Sequence, residues 1–189
     1  MKAGFAIIGI FISVVVLSQE FEAVTKKELR YLNREEKKAR RHFEKELAIK
    51  QTYKLLKQRR FVMEADYLST NYGRRIPVDS KINFIIIDST NAVLQIGNAT
   101  GMGYNGAGGV TVEGDITNYR LTERETKKGK SYYLLVFIPT SLGIYDVSFN
   151  ITDDGRCDAT VTGTSPGRLI YSGHLVPIEQ SSIYKGSSY

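Results

Sequence analysis

The 189-residue chain has no tryptophan, one cysteine and two histidines. With Cys157 alone, no intramolecular disulfide can form. The two histidines show no metal-ligand spacing such as H-E-x-x-H, and Asp153-Asp154-Gly155 reads as a hairpin turn rather than a calcium loop. A G-x-S-x-G elbow is missing too, which leaves a Ser–His–Asp nucleophile without sequence support. Paired carboxylates of the glycosidase kind stay open, because many acids are present and their meeting in space is not written in the sequence. Tyrosine and phenylalanine, 12 and 8 residues, replace tryptophan and suit half-buried strands.

Long apolar runs are scarce as well. Ala3–Leu17 follows Lys2 and precedes "SQEFEAVTKKE". One basic residue, about 15 mostly apolar residues and a small residue fit a secretory signal better than a membrane span, which needs ~20. Val16 and Ser18 take the small-residue positions before a cut between Ser18 and Gln19, whereas a cut after Ala23 would place bulky Phe21 in one of them. The expected division is a signal peptide at 1–18, a basic amphipathic helix at 26–60 and a β-rich domain at 61–189. An uncleaved anchor is the alternative for the first segment. With no cysteine near the cut, the expected location is periplasmic or secreted, not lipid-anchored.

Charge is concentrated in one segment. Residues 26–60 carry 14 Lys/Arg against 5 Asp/Glu, a net of +9, whereas 61–189 carry 11 against 13, a net of −2. The basic segment contains no Gly or Pro and is rich in helix formers. At ~100° per residue, Leu29, Leu32, Ala39, Phe43 and Leu47 fall within about an 80° stripe. Ala48, Ile49, Tyr53, Leu55 and Leu56 then spread around the helix, which makes its last turns the best buried. The favoured reading is a solvated helix resting one stripe on the domain. A weak contact of 26–60 with an anionic surface is the sharper alternative. A coiled coil is weaker still, because the heptad through Leu32 and Ala39 next demands Glu46.

Beyond Arg60 the period changes to two. Tyr145, Val147, Phe149 and Ile151 alternate with polar residues, and Cys157, Ala159 and Val161 share one face of "RCDATVT". Cys157 thus reads as a small buried hydrophobe rather than a reactive thiol. Ile82–Ile87 and Tyr132–Ile138 are apolar on both faces and need cover on both sides, from a second sheet or from the helix. Up to nine closely spaced strands predict a mainly β fold: an antiparallel meander forming a sandwich or partly rolled barrel, with one long N-terminal helix.

The stretch "QIGNATGMGYNGAGG" (Gln95–Gly109) spells G-x-G-x-x-G from Gly101 to Gly106. A dinucleotide site needs a helix opening on the last glycine, yet "AGGVTVEGDITNY" is rich in Gly and β-branched residues. A broad turn or bulged strand is the better reading, and no cofactor is expected. Asn98, Tyr104 and Asn105 are the candidate contact residues of this loop.

The segments "INFIIID", "AVLQIG", "YNGAGGVTVEGDITNY", "RLIYSGHLVP" and "IYKG" resemble the exported family of Gram-negative gut bacteria catalogued as domain of unknown function 4251, over about residues 55 to 186. The resemblance implies a β-rich domain and a periplasmic or envelope location, and it brings no known activity and no catalytic residues. Together these readings point to a non-catalytic envelope protein that binds a protein or glycan partner and no nucleic acid. The alternative is a hydrolase-like enzyme acting on an envelope or dietary glycan.

Export by a cleaved signal predicts a mature protein beginning at Gln19. Mass spectrometry of the native protein checks this, and retention of Met1–Ser18 would contradict it.

Overall fold

The structure is a computed structural model that describes residues 26–70, 73–98, 106, 108–126, 129–163 and 167–188. The expected signal peptide lies outside the described residues. Residues 26–43 are helix throughout and every one is exposed. They form the start of α1 (Lys26–Gln58), whose final part belongs to the second unit of the chain, 44–189. Among the described residues, no helix is long and apolar enough to cross a membrane.

Ten strands follow: β1 (Arg60–Thr70), β2 (Arg75–Pro77), β3 (Phe84–Asp88), β4 (Asn91–Ile96), β5 (Val110–Asp115), β6 (Asn118–Thr126), β7 (Gly129–Thr140), β8 (Gly143–Thr152), β9 (Arg156–Thr162) and β10 (Arg168–Val176). All pairings are antiparallel, and β10 returns to pair with β1. The result is a closed eight-stranded barrel. β5 and β6 act as one bent strand, pairing first with β4 and then with β7, while β2 is a short side strand on β1. The closure rules out the sandwich expected as one alternative from the sequence and completes the other, the partly rolled barrel. Alternation of inward and outward residues is the same in all three architectures, whereas the β1–β10 pairing joins distant parts of the chain.

That pairing has a local requirement. β1 carries a bulge between Ala65 and Tyr67, and Gly173 of β10 lies opposite Ala65. A Cβ on Gly173 would collide with the Glu64 carbonyl oxygen, so the strands approach closely only because this residue has no side chain. After the bulge the inward set shifts from Phe61, Met63 and Ala65 to Leu68.

The interior is filled by Phe61, Met63, Ile85, Leu134, Ile138, Phe149, Ile151 and Tyr171, each under 3% exposed. Phe61 and Phe149 meet edge to face, 5.9 Å between centroids. Cys157 is buried among them, and burial, with the Asp158 charge adding to it, pushes its thiol well above the usual range, which keeps it unreactive.

The last turns of α1 stopper one end of the barrel. Thr52, Leu55 and Leu56 are buried there, and Leu56 is fully so. The Tyr119 hydroxyl of β6 donates to the Leu56 carbonyl (2.7 Å), which at the helix C-terminus also accepts a longer bond from the Arg59 N–H (3.4 Å). Arg59 then turns left-handed (φ 55°) with its guanidinium over the Tyr119 ring (4.6 Å), and β1 begins. Lys57 reaches Glu123 at 3.1 Å on the exposed rim.

Outside, β3 is covered by the C-terminal segment and not by the helix or a second sheet, which corrects the expectation for Ile82–Ile87. Val62, Phe84 and Val93 pack with Ile86, Ile178 and Ile183. Gln95 pins this strap. Its side-chain amide donates to the carbonyls of Ile82 (3.2 Å) and Tyr184 (2.8 Å), and its oxygen accepts from the Thr111 hydroxyl and the Gly186 N–H, both at 2.8 Å. Every hydrogen-bonding capacity of this fully buried amide is therefore used. At the end of the strap, Lys185 pairs with Glu113 and holds that carboxyl below its usual range.

Leu56→Ala should cost about 2–5 kcal/mol in urea unfolding, as for a buried leucine. Leu32→Ala, at a position 55% exposed, should stay within about 0.5 kcal/mol of wild type. Equal losses would mean that Leu32 is also buried in solution.

Candidate functional site

The two ends of the barrel differ. Opposite the α1 stopper, the interior opens into a recess of about 260 Å³. Leu94 and Ile96 of β4 and Val110 and Val112 of β5 form one wall, and Val161, Leu169 and Tyr171 form the other. Leu142, between β7 and β8, and the Tyr145 ring complete the lining. Core packing stops short of this end, so Ile96, Val110 and Leu142 stay 39–47% exposed although their strands place them on the inner side or at its rim.

Polar groups at the mouth are few. The Tyr171 hydroxyl donates to the Gln95 carbonyl (3.2 Å), and burial raises this phenol far above its usual range, leaving it a fixed neutral donor. Arg168, exposed at the start of β10, is the one charged residue among the described residues of the lining. Walls of this kind, with a few polar groups at defined places, are the usual make-up of a small-molecule site.

The glycine-rich stretch flanks this mouth through Ile96 and Val110. Gly97 is buried, and its N–H donates to the Asn83 side chain (3.0 Å). Gly108 is left-handed (φ 78°), and a Cβ there would meet Asn98, lying 2.7 Å from its carbonyl oxygen. A Cβ on Gly109 would clash with the Ile96 carbonyl. The glycines thus let two backbone segments touch as β4 hands over to β5. Val110 opens a strand, where a dinucleotide site would require a helix N-terminus. Of the contact residues expected from sequence, Asn98 is exposed beside Gly108 and is not in the lining, while Tyr104 and Asn105 lie outside the described residues.

A second, wider recess of about 750 Å³ runs over outward residues of β1 and β8–β10. It holds Asp66, Asp154, Asp158 and His174. His174 lies 3.9 Å from Glu64 and 3.7 Å from Asp66. Glu64 already accepts from the Ser181 hydroxyl. The Thr152 hydroxyl holds the Asp154 carboxyl below its usual range, with the Arg156 N–H and charge assisting against partial burial. A general acid needs the opposite shift. Among the described residues no group of three or more His, Cys, Asp or Glu is placed to hold a metal ion.

The lining was missed in the sequence because its members look like ordinary strand residues. A usable signal was present: Ile96, Val110 and Leu142 sit at strand ends beside stretches without charge.

The model of the domain of unknown function DUF4251 matches residues 44–175, from the barrel-side turns of α1 to the end of β10, and the chain belongs to this family. A crystal structure of a DUF4251 family protein from Bacteroides eggerthii is similar to it, with 26% identity and a TM-score of 0.60, covering 76% of this chain and 96% of that one. No curated protein matches the sequence.

Gly108→Ala and Gly109→Ala should each destabilise the fold by about 1–3 kcal/mol, through strain at a left-handed residue and a backbone clash respectively. Gly106→Ala, left-handed but with nothing within 4 Å, should cost less, about 1 kcal/mol. Chemical denaturation of the three variants checks this order.

Proposed function

We propose that this DUF4251 protein is a non-catalytic binding protein of the cell envelope whose site is the open mouth of the barrel. The observation that carries the reading is the unfilled apolar recess lined by Leu94, Val110, Val112 and Leu142, opposite an end stoppered by α1. An eight-stranded barrel is just wide enough for its own side chains or for one small ligand. Here the described side chains fill one end and leave an apolar recess at the other. At about 260 Å³ the recess falls below the ~300–1,000 Å³ typical of drug-sized ligands, so it suits a short chain, a single ring or the tip of a larger molecule. Support for an envelope location is the leader-like N-terminus.

In an NMR titration with octanol, shifts should cluster on Leu94, Val110, Val112 and Leu142, and Val110→Trp should abolish them without unfolding the protein. Shifts confined to the Asp66–His174 recess, or no shifts at all, would overturn the assignment of the mouth.

A further inference from the structure

We infer that the mouth takes a short aliphatic carboxylate, its chain in the apolar recess and its head on the Arg168 guanidinium; the inference rests on the mouth being the binding site. Among the described residues that line the recess, Arg168 is the one that carries a charge. It makes no ion pair among the described residues. Along its own row the register runs Arg168–Thr162–Asp146, which places that carboxylate two strands away, about 10 Å at the usual ~4.8 Å strand spacing. Arg75, in β2, is stacked on Tyr67 at 4.0 Å and is engaged there.

A guanidinium presents a fixed fork of donors that matches a carboxylate in two parallel hydrogen bonds, while the recess below is mainly apolar, its side-chain hydroxyls being those of Tyr171, already donating to the Gln95 carbonyl, and Tyr145. Size limits the chain. The recess corresponds to the liquid volume of roughly nine water molecules, room for one short chain and not for a two-tailed lipid.

Calorimetric titration of the full chain with octanoate, octanol and octylammonium, for wild type and Arg168→Gln, tests this. Octanoate should bind about ten- to a hundredfold more tightly than octanol, as for hydrogen bonds to a charged group, and octylammonium should bind most weakly. Arg168→Gln should bring octanoate to the level of octanol while leaving octanol binding and the melting temperature unchanged. Equal affinities for octanoate and octanol in the wild type, or a preference that survives Arg168→Gln, would overturn the carboxylate and leave the mouth as the site. No binding by any of the three would overturn both.

Discussion

Val62 pairs with Val176 and Thr70 with Leu169 along the seam that joins the first and last strands of the barrel. Without that seam the same strands would form an open sheet with two free edges and an inner face with nothing to pack against. Closure gives Phe61, Met63, Phe149 and Tyr171 a common interior, and it requires Gly173, where any side chain would push β10 off β1. The bulge beside it turns the end of β1 so that Leu68 faces inward after Ala65. The seam is thus also what divides the molecule into an inside and an outside.

Once the cylinder is closed, its two ends are what remain to be resolved. At one, α1 supplies Leu55 and Leu56 and receives the Tyr119 hydroxyl on its last carbonyls. At the other, the chain supplies glycines, which fill no space. Gly108 and Gly109 let two backbone segments touch there, and Ile96, Val110 and Leu142 stay partly wet. The strap pinned by Gln95 acts elsewhere, covering Phe84 and Val93 on the outside of the wall.

Much of this was legible in the sequence where the information is local. The inward set Tyr145, Val147, Phe149 and Ile151, the buried Cys157 and the switch from helix to strand near Arg60 follow from periodicity alone. Closure was not legible, because an inward residue has the same pattern whether the facing wall is a second sheet or the far side of a barrel. The cover on β3 was misassigned for a related reason. "PIEQSSIYKG" looks like a polar tail, with Ile178 and Ile183 as its only aliphatic anchors, and its affinity for the wall depends on a glutamine that periodicity cannot read. The mouth was the hardest part to foresee. A valine at a strand end is the same letter whether the core reaches it or stops short.

The position of the seam also has consequences in time. β1 and β10 lie at opposite ends of the barrel sequence, so their pairing closes almost the largest loop the domain contains, and contacts of such separation form slowly. A chain made from its N-terminus presents β1 long before β10 exists. During that interval β1 is a strand with one unpaired edge, able to pair with the wrong partner. Its short companion β2, which ends in Pro77, pairs with β1 at Tyr67–Ser69 on the edge shared with β3, so it leaves the edge that awaits β10 uncovered. The strand that completes the barrel is thus also the one that ends its period of greatest vulnerability.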